Sequence, residues 1–252
     1  MHRFYLPRPA WDVRPLELTG DEASHALQVL RLEKGDKIVL FDGEGTEATA
    51  SILETRKHSL TADALFQSKT PRLPCEITLA QAVPKGKNMD LIVQKAVELG
   101  AARIAPLLSD RTVVHLDPSD APRKQEKWQD VAVEACKQCG QNWLPEVLPP
   151  VTPTQFFSEP SGANLLLIAS LQADAVHLKT VLSEYAATSG TPRPRAVTVL
   201  VGPEGDFTPA EIALAKSHGC RPITLGPIIL RTETAAIYCL SILSHELLNA
   251  TN

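Results

Sequence analysis

The sequence predicts an α/β protein in two parts, a small β-rich unit over residues 1–72 and a larger parallel-sheet domain over 73–252. Three observations predict it. Residues 75–83, 104–108, 164–169, 196–201 and 222–225 are short, largely apolar runs, the pattern of strands covered on both faces. Between them lie stretches with apolar residues at helical spacing, so strand and helix alternate. Residues 68–74, Ser-Lys-Thr-Pro-Arg-Leu-Pro, carry two prolines and no periodicity, which marks a linker between the parts.

In the first part, Thr19-Gly-Asp-Glu22 fits a capping box, in which hydroxyl and carboxylate each satisfy an orphan backbone N–H. A short helix through His25, Val29 and Leu30 should follow. Residues 37–41 read as a strand, Asp42-Gly43 as turn chemistry, and residues 46–53 as the returning strand. Beyond the linker, Met89, Ile92, Val93, Ala96 and Leu99 form one apolar helical stripe, closed by Gly100 just past its end. Residues 124–139 give a second helix whose buried stripe is Trp128, Val131, Ala132, Ala135 and Cys136. Further helices are predicted over 175–187, 209–217 and 235–248. Thr208-Pro-Ala-Glu211 supplies the fourth of these five with an N-cap, a proline at its first position and a capping-box acid.

Composition removes several classes. With 252 residues, 44% apolar and 21% charged, the chain has the make-up of a globular protein. Its apolar runs fall far short of the roughly 20 residues of a membrane helix, and residues 1–10 do not resemble a signal peptide. Five scattered cysteines suit a reducing, cytoplasmic setting better than a disulfide framework. Cys136-x-x-Cys139 lies on a predicted helix without a second pair, so no metal site is expected. The net charge is −4, and neither part is basic: residues 1–72 carry 10 Lys+Arg against 11 Asp+Glu, and the remainder 15 against 18. That balance argues against broad, non-specific polyanion binding.

The chemistry concentrates where strands end, since ligands of open α/β sheets bind outside the carboxyl ends of their strands. Three predicted strands run into Ser170-Leu-Gln172, Gly202-Pro-Glu-Gly-Asp206 and Gly226-Pro-Ile-Ile-Leu-Arg-Thr-Glu-Thr234. Two Gly-Pro turns leave room for a ligand against bare backbone. The apolar run Ile228–Leu230 stands beside Arg231, Thr232, Glu233 and Thr234 at a helix start, which suits a ligand with a flat apolar part and polar handles. Neither a phosphate-binding lysine loop nor Gly-x-Gly-x-x-Gly is present.

The segments Val201-Gly-Pro-Glu-Gly-Asp-Phe-Thr-Pro-Ala-Glu211 and Leu225-Gly-Pro-Ile-Ile-Leu-Arg-Thr-Glu-Thr-Ala235 resemble the RsmE family of 16S ribosomal RNA uridine-N3 methyltransferases, in the SPOUT superfamily. The resemblance extends to Lys85-Gly-Lys-Asn-Met-Asp-Leu-Ile-Val-Gln-Lys-Ala-Val-Glu-Leu-Gly100 and to His2-Arg-Phe-Tyr5, in the same order along the chain. It implies a PUA-like N-terminal β-barrel that binds RNA, a C-terminal SPOUT domain threaded into a trefoil knot, and a homodimer in the cytoplasm. It also implies S-adenosylmethionine as cofactor, held by Ser170, Leu171, Gly202, Glu204, Gly205, Leu225, Gly226, Ile228, Leu230 and Thr234. The implied partner is 16S rRNA within the small ribosomal subunit or a late precursor. Two positions depart from the family pattern: Asp206 stands where a second glycine is usual, and Gln141 where arginine is frequent.

Methyl transfer to uracil N3 requires an unpaired or flipped-out base. It also requires stabilisation of the charge developing as the N3 proton leaves. Arg231 is the candidate for that charge, with an RNA phosphate as the other partner its fork would suit. Glu233 and Glu204 are weaker candidates for a base, and helix-start stabilisation is the simpler reading of Glu233. Arg3, Arg31, Lys34, Lys85 and Lys87 are the candidate RNA contacts, each of which is otherwise an ordinary solvated charge. A ribose 2′-hydroxyl or a guanine as acceptor, or a non-enzymatic RNA-binding assembly factor, are the competing readings.

Overall fold

The computed structural model describes residues 1–112, 118–160 and 162–249. The chain divides into two compact units, one of residues 1–72 with 133–144 and the other of 73–132 with the chain from 145 onward. The first unit therefore recruits a piece of the later sequence.

That first unit is a mixed five-stranded sheet of β1 (His2–Tyr5), β2 (Leu16–Thr19), β3 (Lys37–Phe41), β4 (Thr46–Thr55) and β5 (Ser59–Lys69). The order is β1-β3-β4-β5-β2, with β1 parallel to β3 and the other pairs antiparallel. The sheet curls about a core in which Phe4, Leu16, Leu18, Ile38, Leu40, Ile52 and Leu60 are at most 2% exposed. Buried and part-exposed residues alternate along the first seven positions of β4, because successive side chains of a strand leave opposite faces. The β3–β4 turn is tied by Asp42, whose Oδ1 accepts the amides of Glu44 and Thr46 at 2.7 and 2.8 Å. Gly45, at φ 94°, sits under the Trp143 ring, where a Cβ would come within 2.5 Å of ring carbon.

The second unit is an all-parallel six-stranded sheet. Its strands are β6 (Glu76–Ala82), β7 (Ala101–Leu107), β8 (Glu146–Val147), β9 (Leu165–Ala169), β10 (Ala196–Val201) and β11 (Arg221–Ile223), in the order β11-β9-β10-β6-β7-β8. The chain steps outward from β6 to β7 and β8. It then crosses to β9 on the far side and returns to place β10 between β9 and β6. Its principal helices are α2 (Asn88–Glu98), α3 (Ala121–Cys139, whose residues from Val133 belong to the first unit), α4 (Pro153–Ser158), α5 (Leu178–Ser189), α6 (Pro209–Ser217) and α7 (Thr232–Leu247); α1 (Gly20–Ser24) belongs to the first unit.

One face of the sheet, through Ala80, Ala82, Ala105, Leu107, Ile168 and Leu200, packs with Ile212 and Ala215 of α6, with Phe156 and Phe157 of α4 beside them. On the other face α2 and α7 pack together and α7 lies on β6 and β10. Burial of each large aliphatic side chain in these layers contributes roughly 1.5–3 kcal/mol. The predicted stripe of α2 is buried at Met89, Ile92, Val93 and Ala96. Gly100 follows α2 at φ 82°, against Leu73 and Leu248.

Some local expectations are corrected. Thr19 makes no side-chain cap; Glu22 instead accepts from Lys137 Nζ at 3.0 Å, a buried charge partner that outcompetes a backbone amide. The helix placed at 175–187 begins only at Leu178, because Val176 still bridges Ile223 at the sheet edge. The last strand is shorter than 222–225, and the last helix starts at Thr232 rather than 235, which makes Arg231 its N-cap residue. In α3, Trp128, Ala132, Ala135 and Cys136 are buried, while Val131 is only half-buried. No described helix is long and apolar enough to cross a membrane.

Candidate active site

Where β9, β10 and β11 end, their loops enclose an open cleft of about 580 Å³. Largely apolar strands deliver it: Ala169 and Val201 are the last residues of β9 and β10 and form part of its floor. Three loops build the walls. Ser170 is 7% exposed, held by its amide on the Ile223 carbonyl at 3.0 Å, and its hydroxyl receives the Gln172 amide at 3.1 Å. Leu171, Leu225, Ile228 and Leu230 give an apolar side, of which Leu171 and Ile228 are 61% and 73% exposed. Glu204 and Asp206 give an acidic side.

The two glycines of the cleft serve different ends. A Cβ on Gly202 would press on Asp206 Oδ1 at 3.1 Å and the Phe207 amide at 3.2 Å, so Gly202 allows the β10 loop to fold tightly on itself. Gly226 has φ 110° and nothing within 4 Å of a Cβ position. Its missing side chain leaves open space in the cleft wall, and its conformation disfavours any other residue.

A buried relay joins three elements beneath the floor. Gln81 at the end of β6 donates through Nε2 to the Ala82 carbonyl at 2.8 Å and to Thr232 Oγ1 at 3.1 Å. Thr232 donates in turn to the Gly202 carbonyl at 2.6 Å. Gln81 is 0% and Thr232 4% exposed, and Gln81 Oε1 has no partner. The relay fixes the start of α7 to the β10 loop. A second anchor is Glu211, which closes the predicted capping box with Thr208 and also accepts Ser109 Oγ at 3.1 Å and the Asp110 amide at 2.9 Å.

The predicted site residues separate into groups. Ser170, Leu171, Gly202, Glu204, Leu225, Gly226, Ile228 and Leu230 all line the cleft. Gly205 does not; its carbonyl is turned to Arg111 Nη1 at 2.7 Å. Thr234 is exposed on α7 away from the lining, and Thr232 takes the place expected of it, because α7 begins a turn early and turns position 232 inward. Arg231 is exposed between two lining residues, and among the described residues no protein group pairs with its guanidinium. Glu233 is half-buried outside the lining and accepts from Asn88 Nδ2 at 3.3 Å. Glu204 Oε1 accepts the Lys85 amide at 3.0 Å.

Of the expected RNA contacts, Arg31, Lys34, Lys85 and Lys87 are exposed and make no ion pair among the described residues. Arg3 differs. Its side chain is 15% exposed, with Nη1 2.8 Å from Glu47 and Nη2 2.6 Å from Asn142. The same contact holds the Glu47 carboxyl below its ordinary value, chiefly through the hydrogen bond from Arg3. Arg3 is thus neutralised within its own unit, a structural ion pair and not a free RNA contact. Asn142 and Gln81 had no sequence signal beyond their type; each is identified only by its buried partners. No group of three or more metal-ligating side chains occurs among the described residues.

Residues 71–244 match the RNA methyltransferase domain family, and residues 18–65 match an RNA methyltransferase PUA domain. Ribosomal RNA small subunit methyltransferase E of Synechocystis is 35% identical over 237 residues, covering 89% of this chain and 71% of that protein. Its Bacillus subtilis counterpart is 30% identical over 231 residues, covering 91% and 89%. Among solved structures, a Legionella pneumophila methyltransferase in complex with the bound cofactor S-adenosylmethionine superposes with a TM-score of 0.85 at 36% identity, covering 96% of both chains. A Neisseria gonorrhoeae ribosomal RNA small subunit methyltransferase E bound to S-adenosylmethionine gives 0.82 at 33% identity, covering 97% of both. The curled N-terminal sheet is PUA-like and the parallel-sheet domain is of the SPOUT type. On two matching domains and relatives similar along nearly its whole length, the chain belongs to the ribosomal RNA small subunit methyltransferase E family.

Proposed function

We propose that the protein is an S-adenosylmethionine-dependent methyltransferase that methylates N3 of a uridine in small-subunit ribosomal RNA. The observation that carries the reading is the cleft at the ends of β9, β10 and β11, whose apolar side, acidic side and open space at Gly226 fit a ligand with a flat ring and a cationic centre. S-Adenosylmethionine, when bound, supplies a methyl group activated on a sulfonium. Leu171, Leu225, Ile228 and Leu230 would cover the ring and exclude water, and Glu204 and Asp206 would face positive charge. Gln81 and Thr232 hold the two loops at fixed spacing, which is the positioning that direct displacement needs.

Arg231 is the residue we assign to the acceptor. Standing unpaired at the start of α7, its guanidinium can bear on a uracil carbonyl oxygen as the N3 proton is lost. Glu233, held by Asn88, and Glu204, held by the Lys85 amide, are candidates for taking that proton. The first unit, residues 1–72 with 133–144, would bind RNA through exposed Arg31 and Lys34, and Lys85 and Lys87 would add contacts from the second. The same proposal takes the working form as a cytoplasmic homodimer acting on the assembled small subunit or a late precursor. It also takes the last segment as threaded in a trefoil knot.

The test is to map N3-methyluridine in small-subunit ribosomal RNA from cells with and without the protein. A site that loses its methyl group in the deletion and regains it on complementation supports the reading. Arg231→Ala should retain S-adenosylmethionine binding but leave methylation reduced about 100-fold or more. Full turnover in that variant refutes the role given to Arg231, and 2′-O-methylation or guanine methylation in place of N3-methyluridine refutes the acceptor.

A further inference from the structure

Apart from glycine, Asp206 and Arg31 are the described residues with positive φ, at 59° and 55°. A left-handed backbone is disfavoured for side chains, and aspartate tolerates it by bonding locally. Asp206 does so: Oδ1 accepts the Phe207 amide at 2.8 Å, and the Asp206 amide donates to the Pro203 carbonyl at 3.0 Å. The turn that forces this conformation also sets the carboxylate in the cleft wall, close to Glu204.

These two are the charged side chains of the cleft lining, and both are acidic. Each is held by a backbone amide, and among the described residues neither pairs with a side-chain cation. Arg111 binds the same loop, its Nη1 donating to the Gly205 carbonyl at 2.7 Å, but neither it nor Arg231 is part of the lining. The lining itself therefore carries only negative charge, and Asp206 is half-buried, where a charge acts more strongly than in bulk water.

Building on the proposed function, we infer that Asp206 sets the preference of the cleft for the cationic cofactor over the neutral-sulfur product. In the transfer the S–CH3 bond breaks, sulfur keeps the electron pair, the methyl group bonds to uracil N3, and the N3 proton passes to a carboxylate, Glu204 or Glu233. S-Adenosylhomocysteine thus carries one positive charge fewer at sulfur. The attraction that Asp206 exerts before transfer is absent after it, so the residue favours loading and then release. A glycine at this position would keep the turn and lose the discrimination.

Calorimetric titration of S-adenosylmethionine and S-adenosylhomocysteine into the wild-type protein, Asp206→Asn and Asp206→Gly tests this. Asparagine retains an oxygen for the Phe207 amide and tolerates the left-handed backbone, and glycine adopts it freely, so two independent variants remove the charge. The ratio of the two affinities should shift toward S-adenosylhomocysteine by about three- to tenfold in both variants, mainly through weaker S-adenosylmethionine binding. Added salt should compress the wild-type ratio more than that of either variant. A ratio within twofold of wild type in both variants, or equal weakening of both ligands, overturns the inference. If the wild-type protein binds neither ligand, the cofactor reading itself fails.

Discussion

Replacing Thr232 with valine removes one oxygen from a residue 4% exposed while hardly changing its shape. Two hydrogen bonds go, one from Thr232 to the Gly202 carbonyl at 2.6 Å and one from Gln81 Nε2 at 3.1 Å. Gln81 keeps its bond to the Ala82 carbonyl, but its second N–H then joins an Oε1 that already has no partner. A buried polar group left unpaired costs about 1–3 kcal/mol. Gly202 is only half-buried at the cleft, so water can reach its carbonyl and the smaller figure applies there. The side chain of Gln81 is fully buried, and its loss counts in full. The sum is a destabilisation of about 2–4 kcal/mol of the second unit. At about 2–4 °C per kcal/mol for a domain of this size, its melting point should fall by roughly 4–16 °C. Urea unfolding with an unchanged slope would read the same quantity as a shifted midpoint. Thr232→Ser, which keeps the hydroxyl, should recover most of the loss. If Thr232→Val unfolds within about 0.5 kcal/mol of wild type, or if the serine is no better than the valine, the relay contributes nothing to stability and the reasoning is wrong.

Gly226→Val meets φ 110° and the open wall of the cleft together, so it should weaken S-adenosylmethionine binding at least tenfold; unchanged affinity in calorimetry would displace the ligand from this cleft. Arg3 holds the Glu47 carboxyl below its ordinary value of 4.5, so the stabilisation from Glu47 is complete above pH 4.5 and is lost as pH falls through the lower folded value. The difference in urea midpoint between wild type and Glu47→Gln should accordingly shrink between pH 6 and pH 3, and a constant difference would contradict the linkage. Burial raises the thiols of Cys75 to about 11 and of Cys136, Cys220 and Cys239 to about 12, and Cys139 alone among the five is exposed. A thiol reagent at pH 8 should therefore titrate one cysteine in the native protein and five after denaturation, and rapid reaction of more than one would show that the native packing is looser.

Much of the second unit is legible in the sequence because its signals are local. Runs such as residues 165–169 are apolar at every position, the mark of a strand covered on both faces. Thr208, Pro209 and Glu211 form their capping box within four residues of chain, and the structure contains it. The first unit was harder to read. Strand β5 carries Asp63, Gln67 and Lys69 among exposed Leu65 and Phe66, so it shows no clean alternation, and pairing with β4 and β2 makes it a strand. Thr19 and Glu22 have a complete local motif that is not used, because Lys137, far along the chain, claims the carboxylate.

Eight of the ten expected cofactor positions line one cleft because glycine, proline and apolar residues at strand ends are themselves the signal. The two others, Gly205 and Thr234, lie outside that lining. Which side of a loop a residue presents depends on φ and ψ, and those follow from anchors such as Arg111 and Gln81 that lie far away in sequence.

By itself the sequence determined the α/β class, the alternation of elements in the second unit, the three loops that meet at the cleft, and the resemblance that names the chemistry. Each is written in residue types at short spacing. Tertiary structure alone decided that residues 133–144 join the first unit, that Arg3 is spent on Glu47 and Asn142, and that Thr232 closes the floor of the cleft. It also decided that Asp206 holds a left-handed turn with its carboxylate in the wall. Those outcomes rest on partners tens of residues apart, or on the conformation of a single turn. A buried charge or hydroxyl takes the partner that folding brings to it, and no short-range pattern records which one that will be.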